Sequence, residues 1–161
     1  MRHGPLAVVL VALVFPAAAS EITPRSVIAA MNDYRQQNGR PPLREDARLA
    51  KAAQNRLDDM EDLGYWGHES PDGRSPFVWL KPAGYDYQFA GENLAQGFET
   101  TELLLSSWME SPGHRSNILF PLYEDCGVAV VDGGTMGPAT GKSVVVLFGR
   151  PKSPDPKTTA K

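Results

Sequence analysis

Residues 108–119 read Trp-Met-Glu-Ser-Pro-Gly-His-Arg-Ser-Asn-Ile-Leu, and this stretch carries the strongest signal for the fold. A serine followed by a proline is typical of a helix start, with Ser111 as the N-cap and Pro112 at the first helical position. Trp108 belongs to a preceding helix, and its helical position there predicts a place in the core. His114 therefore lies at the start of a short helix that follows a longer one.

Two further stretches upstream combine polar residues with glycine. Residues 90–95 read Ala-Gly-Glu-Asn-Leu-Ala, which sets Glu92 among small and apolar neighbours. Residues 64–73 read Gly-Tyr-Trp-Gly-His-Glu-Ser-Pro-Asp-Gly and contain His68. A single histidine in a turn is more often a surface residue than a ligand. The spacing of these residues along the chain matches no compact metal motif such as His-Glu-x-x-His.

Taken together and in order, these stretches resemble the bacterial, SCP-like branch of the CAP superfamily (cysteine-rich secretory, antigen 5 and pathogenesis-related 1 proteins). The motifs are Gly-His-Glu-Ser-Pro-Asp-Gly, Gly-Glu-Asn-Leu-Ala and Trp-Met-x-Ser-Pro-Gly-His-Arg-x-Asn-Ile-Leu, followed by a closing Leu-Phe-Gly at 147–149. The resemblance covers residues 22–150. It implies an α+β fold, an α-β-α sandwich with a small antiparallel sheet.

The resemblance also implies a cleft that gathers two histidines with acidic side chains. Carried over residue by residue, its members are two imidazoles, one carboxylate and the amide beside it: His68, His114, Glu92 and Asn93. The family's second glutamate stands three residues beyond the helix tryptophan, and that position is Ser111 here. Glu110 is the nearest acid, but one residue on a helix is a rotation of 100°. Whether Glu110 takes the place of the second glutamate stays open.

The chemistry of such a cleft allows a weak metal site. Neutral imidazoles suit Zn²⁺, so His68 and His114 are the candidate metal ligands, with open coordination positions. Catalytic zinc usually has three protein ligands, and a third is not identified. Without metal, Glu92 can orient one imidazole as a general base. The serines near the histidines lack the Gly-x-Ser-x-Gly geometry of hydrolases, so we assign no catalytic residue and no required cofactor.

Two functions and one structural alternative follow from these residues. The favoured function is a non-enzymatic extracellular binding module, and the resemblance implies a lipid or a cell-envelope component among its candidate partners. The second is a secreted metal-dependent or His/Glu-assisted hydrolase of the peptidase type. In the structural alternative, the histidines only tie loops together by hydrogen bonds.

Composition and chain ends indicate export. Residues 1–19 have a short basic start, an apolar run at 6–15 and a small-residue cleavage site, and are predicted to be a signal peptide. We therefore expect a secreted or periplasmic protein. Later apolar runs such as 144–148 are far shorter than the roughly 20 residues of a membrane-spanning helix, so no transmembrane anchor is expected. Residues 151–161 lack apolar side chains worth burying and are predicted to be a disordered tail.

Charge and cysteine content narrow the class further. The formal net charge is −3, and no segment interleaves lysine and arginine with aromatic residues, so we expect no nucleic-acid partner. The single cysteine, Cys126, cannot form an intramolecular disulfide, so stability must come from the core. The negative charges of Glu124 and Asp125 oppose formation of a reactive thiolate. We therefore expect Cys126 to be a small buried residue at the start of a strand and not a catalytic one.

Capping residues and periodicity predict the remaining elements. Helices are expected to start at Thr23, Asp46, Ser75, and Thr100 or Thr101. The second helix ends at Gly64, carries an apolar stripe from Leu49 to Leu63, and is expected to place Arg56 on its solvated face. Residues 64–97 are predicted to be rich in turns. The β-branched runs at 127–131 and 143–148 predict an antiparallel hairpin, so helices come first and the hairpin last.

Export can be checked by mass. The intact mass of the exported protein should lack residues 1–19, because an apolar run followed by Ala17, Ala18 and Ala19 is typical of a signal-peptidase site. A soluble exported form that retains Met1 would contradict the assignment of this segment.

Overall fold

The structure is a computed structural model that describes residues 19–133 and 141–153. Residues 1–18 of the predicted signal peptide and 154–161 of the predicted tail lie outside them. The elements are α1 (Pro24–Gln37), β1 (Arg44–Glu45), α2 (Ala47–Leu63), a 3-10 helix η1 (Pro76–Trp79), β2 (Tyr87–Phe98), α3 (Thr101–Glu110), α4 (Pro112–Leu119), β3 (Asp125–Asp132) and β4 (Lys142–Pro151). Pro151, predicted to begin the tail, is thus the last residue of β4.

The predicted helix ends are confirmed by their capping contacts. The Thr23 hydroxyl accepts a hydrogen bond from the Ser26 amide at 3.1 Å, and the reciprocal contact completes a capping box. Asp46 accepts from the Arg48 amide at 2.8 Å at the start of α2. Gly64 ends α2 in the left-handed conformation, with φ of 64°, which glycine adopts without steric cost.

The strands form one mixed sheet in the order β1-β3-β4-β2. β4 pairs antiparallel with both β3 and β2, which confirms the predicted hairpin. The expectation of an antiparallel sheet is wrong at one edge, because the two-residue strand β1 pairs parallel with β3. β2 is also missing from the sequence prediction. Its residues 91–95 are all buried, so this segment lacks the polar-apolar alternation that identifies a half-exposed strand.

The two faces of the sheet are covered by different helices, as an α-β-α sandwich requires. Successive residues of a strand point to opposite faces. In β4, Val144, Val146 and Phe148 accordingly pack with residues of α1, α3 and α4, while Val145 and Leu147 pack with residues of α2. The predicted α+β sandwich is confirmed.

Helix α2 lies unusually close to the sheet at Gly127. A side-chain carbon at this position would overlap the backbone of Leu49 and Ala50, so the contact requires glycine. The next residue toward the N-terminus, Cys126, is fully buried on the other face, and burial raises the pKa of its thiol to about 12. The expectation of a small buried residue near the start of a strand is confirmed.

Two expectations for α2 are wrong. Arg56 does not face solvent, since only 1% of it is exposed, and Leu63 leaves the apolar stripe with 50% exposed. The loop that follows Gly64 folds back over the side of α2 that carries Arg56 and buries it. Leu63 is the last residue of α2, next to the Gly64 cap.

A second buried arginine holds α4 against α1. The Arg35 guanidinium donates to the carbonyl oxygens of Pro41, Ile118, Phe120 and Tyr123 at 2.7–3.3 Å. Burial lowers the pKa of Arg35, and these four acceptors compensate the loss of water around its charge. The C-terminal end of α4 is thereby fixed to the body of the domain.

Replacing Gly127 with alanine should destabilise the domain by about 1–3 kcal/mol or more, because the added carbon pushes α2 off the sheet. The matched control is Gly113→Ala in α4, where the added carbon meets nothing within 4 Å, and no loss is expected. Denaturant unfolding of both variants measures the difference. Equal stabilities would contradict the close packing of α2.

Candidate functional site

An open cleft of about 760 Å³ lies at the edge of β2, between the loop after α2 and the helix α4. It has a mixed polar and apolar lining: His68, Glu69, Ser75, Pro76, Phe77, Ala90, Gly91, Glu92, Ser111, Gly113, His114, Ser116 and Asn117. Three of the residues carried over from the family motifs are therefore in one cleft. They come from a loop, a strand and a helix that are distant in sequence.

One side of the cleft is built on a buried charged cluster. The Glu92 carboxylate lies between two cationic or potentially cationic groups: Oε1 is 2.7 Å from Nδ1 of His68, and Oε2 accepts from Nε of Arg56 at 3.2 Å. Glu92 and Arg56 are almost fully buried, whereas 59% of the His68 side chain is exposed. The carboxylate therefore orients an imidazole whose other nitrogen, Nε2, is free to face a ligand.

Arg56 also holds the loop that carries His68. Its guanidinium donates to the carbonyl oxygens of Gly67 and His68, the latter at 2.9 Å, and to the Tyr65 hydroxyl. The Tyr65 hydroxyl in turn donates to Asp59 at 2.6 Å. Each end of this network lies on α2, so the loop position depends on the helix.

The other side of the cleft is built on α4. The His114 ring lies 6.0 Å from the Trp108 ring, and its Nδ1 is buried without a hydrogen-bond partner among the described residues. Nε2 of His114 is not buried in this way, so it is the ring nitrogen that a ligand can reach. Asn93 is buried beneath the cleft, and its side-chain amide donates to the His114 carbonyl at 3.2 Å. The Asn117 side-chain amide in turn donates to Oδ1 of Asn93 at 2.9 Å.

The two imidazoles have opposite electrostatic environments. The hydrogen bond to Glu92 raises the pKa of His68 above its ordinary value, and this outweighs partial burial. Burial lowers the pKa of His114, and the charge of His68 lowers it further. Between the two pKa values, His68 is cationic and His114 is neutral.

The structure separates the two acidic candidates. Glu110 does not reach the cleft, but lies exposed beside a different depression with Phe98 and Leu103. The reason is helical rotation, because Trp108 faces the core and a residue two positions later is turned by about 200°. Ser111, which stands in place of the family's second glutamate, does line the cleft. Asn93 is buried beneath the cleft and not in its wall.

Arg56 is the site residue that sequence reasoning missed, although a signal was present. The buried residues of α2 are Leu49, Ala52, Ala53, Arg56, Leu57 and Met60. Arg56 is three residues after one alanine and four before the methionine, which is inside the apolar stripe. An arginine within an apolar stripe is almost never buried without a partner, so it points to a buried acid elsewhere in the chain.

The fit of a metal ion to these residues is partial. Glu92 binds Nδ1 of His68, which is how a carboxylate commonly supports a metal-ligating histidine. Nδ1 of His114 has no such acceptor among the described residues. Across residues 19–133 and 141–153, no three His, Cys, Asp or Glu side chains are grouped so that they could hold a metal. Within those ranges, the cleft offers two imidazole nitrogens and no third protein ligand from these residue types.

An α-β-α sandwich with two histidines in one cleft at a sheet edge defines a class of domain. Comparison of the sequence with known families identifies that class. Residues 28–145 match the profile of the cysteine-rich secretory protein family, CAP. The chain belongs to the CAP family.

Several relatives are of bacterial origin. The uncharacterized protein YkwD of Bacillus subtilis is 41% identical over 112 residues, which are 70% of this chain and 44% of that protein. The uncharacterized membrane protein YlbC of the same organism is 29% identical over 106 residues, or 66% of this chain and 31% of that protein. The chain thus spans less than half the length of these curated relatives.

Solved structures have the same fold. An extracellular protein with an SCP domain from Bacillus anthracis has a TM-score of 0.69 and 28% identity, covering 79% of this chain and 40% of that one. An outer surface protein of Borrelia burgdorferi also has a TM-score of 0.69, at 19% identity, covering 83% and 99% of the two chains. Within the described segments, every helix is too short or too polar to span a membrane.

The opposite pKa shifts can be measured by NMR titration of the two imidazoles. His68 should titrate above 6.5 and His114 below it. Glu92→Gln should lower the pKa of His68, because it removes the largest cause of the upward shift. Glu61→Gln, the same change at an exposed residue of α2, is the control and should have little effect. A His68 pKa that does not respond to Glu92→Gln would contradict the contact.

The same shifts determine the sign of their effect on stability. A raised pKa means that the contribution of His68 is present below 6.5 and is lost as the pH rises through the folded-state value. A lowered pKa means that burying neutral His114 destabilises the fold as the pH falls below 6.5.

Proposed function

We propose that this CAP domain is a non-enzymatic extracellular binding module whose ligand site is the cleft between His68 and His114. The observation that carries the proposal is that two imidazoles present accessible Nε2 atoms to an open cleft of about 760 Å³. This volume is within the range of roughly 300–1,000 Å³ typical of ligand sites. A buried network built from Arg56 and Glu92 holds one imidazole in place before any ligand arrives.

The ligand is proposed to come from outside the cytoplasm. The predicted signal peptide favours a secreted or periplasmic protein, and a relative from Bacillus anthracis is described as extracellular. Pro76, Phe77 and Ala90 form an apolar part of the wall beside the polar residues. A lipid or another cell-envelope component with both apolar and polar groups suits such a lining.

The cleft is also proposed to hold a divalent metal weakly. His68 and His114 would bind it through Nε2, because Nδ1 of His68 is engaged by Glu92 and Nδ1 of His114 is buried. A bound Zn²⁺ would supply a Lewis acid for an oxygen of the ligand. Two protein ligands leave most coordination positions open, so the affinity should be low and metal is not required for the fold.

A secreted hydrolase is the second candidate, and one observation favours it. Neighbouring titratable groups whose pKa values are displaced in opposite directions are typical of acid-base pairs, and His68 and His114 are such a pair. Against it, neither imidazole hydrogen-bonds a serine hydroxyl among the described residues, and Ser70 is turned inward to Asp72 and the Arg74 amide. Hydrolysis of peptide or ester substrates, with and without added Zn²⁺, tests it. Turnover lost in His68→Ala would favour the hydrolase.

Calorimetric titration of Zn²⁺ at pH 7.5 tests the shared metal site. His68→Ala and His114→Ala should each lose most of the affinity, and the double variant should lose little more, because the two ligands act together. Binding by the wild type should weaken as the pH falls, and the loss should begin above 6.5 because His68 protonates first and a protonated imidazole cannot bind metal. The matched control is Glu110→Ala. Glu110 lies outside the cleft, so this variant should bind Zn²⁺ as the wild type does.

Small, additive losses in the two single variants would show that the imidazoles do not share a site. Native mass spectrometry of the protein purified from its exported fraction supplies the second test. A bound molecule that is retained by the wild type and lost in His114→Ala would identify the ligand of the cleft.

A further inference from the structure

Strand β2 forms one edge of the described sheet. In the order β1-β3-β4-β2, its only strand neighbour among residues 19–133 and 141–153 is β4. An edge strand presents backbone N–H and C=O groups that have no partner within the sheet. The cleft opens on this edge, because Ala90, Gly91 and Glu92 of β2 line it.

Two hydrogen bonds identify which backbone groups of β2 point away from β4. The carbonyl of Glu92 accepts from the Asn117 side chain at 2.9 Å, and the carbonyl of Leu94 accepts from the Trp108 indole at 3.2 Å. Both donors lie on helices outside the sheet. The pairing with β4 runs without a register shift from Ala90 to Ala95, and backbone direction alternates along a strand. The N–H and C=O of Ala90 therefore face the same free edge.

Ala90 is the point where this edge is open. The helices α3 and α4 cap the carbonyls further along the strand, but no side chain of the described residues bonds the outward groups of Ala90. The outward N–H and C=O of Ala90 and the outward N–H of Glu92 form a donor, an acceptor and a donor at the spacing of a polypeptide backbone. A lipid or a sugar has no such series.

We propose that an extended peptide binds in the cleft as an added strand along the free edge of β2 at Ala90–Glu92. The inference rests on the proposed function in taking this cleft as the ligand site, and it names the class of ligand. Alternate side chains of the peptide would point to two walls: one with Pro76 and Phe77, the other with Ser111 and Gly113.

The charge of the neighbouring surface favours an acidic residue in such a peptide. Phe77 also lines a second depression of about 770 Å³ together with Lys81, Tyr87 and Lys152, so a peptide longer than the cleft would extend into it. Lys152 pairs with Asp86 at 3.3 Å, whereas no ion pair with Lys81 is found among the described residues. Lys81 is thus available to an acidic side chain at that end.

The test begins with an array of random synthetic octapeptides and purified wild-type domain. The best binder is then resynthesised with one backbone amide methylated at a time. Strand addition predicts one sensitive amide, the one that donates to the Ala90 carbonyl: its methylation should lower affinity about tenfold, and methylation of the amides on either side should change it little. Acidic residues should be enriched at one end of the selected peptides, and Lys81→Glu should weaken binding.

Ala90→Pro is the matching protein variant. It removes the outward N–H without breaking a bond to β4, which is the setting in which an edge strand tolerates proline. Ala90→Ser keeps the N–H and is the control. The expected result is weaker peptide binding in the first variant alone. If Ala90→Pro does not fold, binding of the methylated peptides to the wild-type domain still tests strand addition.

Three outcomes would overturn strand addition. Peptides that need His68 and His114 but tolerate methylation everywhere would bind in the cleft without joining β2, and the proposed binding function would stand. Binding of Zn²⁺ or lipid in the cleft without any peptide binding would also overturn strand addition and leave the proposed binding function standing. A peptide with one methylation-sensitive amide that binds Ala90→Pro as tightly as the wild type would lie on another edge.

Discussion

The site depends on one buried charge, the guanidinium of Arg56. A fully desolvated arginine is stable only if its donors are satisfied, and here they meet the Glu92 carboxylate, the Tyr65 hydroxyl and the carbonyl oxygens of Gly67 and His68. Removing one partner of a buried pair commonly costs about 3–5 kcal/mol, because the other charge stays buried. The same contacts that satisfy the arginine therefore hold the loop and the carboxylate that orient His68. Stability of α2 and geometry of the cleft are properties of one network.

The adjacent residues Glu92 and Asn93 divide the support of the two histidines between them. Neighbouring residues of a strand point to opposite faces of a sheet, so Glu92 faces α2 and Asn93 faces α4. Glu92 binds the His68 ring, and Asn93 binds the backbone of His114. A two-residue motif at a sheet edge can thus position side chains from two layers of the sandwich. This explains why an acid and an amide occur side by side in the middle of a buried strand.

Sequence reasoning recovered the parts of the fold that depend on local contacts. Caps such as Thr23 and Asp46 act within one turn, and the β3–β4 hairpin shows its own β-branched runs, so both were predictable. The parts that depend on contacts between distant residues were not. β2 was taken as turn-rich because its centre carries glycine and polar residues, and their partners on α2 and α4 are not visible in the local pattern. Arg56 looked like a surface residue until the fold supplied Glu92.

The position of Ser111 bears on what the cleft can bind. A helix rotates by 100° per residue, so Glu110 cannot substitute for an acid one position later, and the cleft has a hydroxyl where the family's second glutamate stands. A neutral hydroxyl adds a donor and an acceptor without adding charge. Of the two acidic residues that line the cleft, buried Glu92 is paired with Arg56 and His68, whereas Glu69 is exposed. Because the buried charges are paired internally, the ligand that we propose for the cleft is one recognised through hydrogen bonds and an apolar wall, not a tightly held cation. Ala90 also lines this cleft, and its outward backbone N–H and C=O are where we propose that such hydrogen bonds are made.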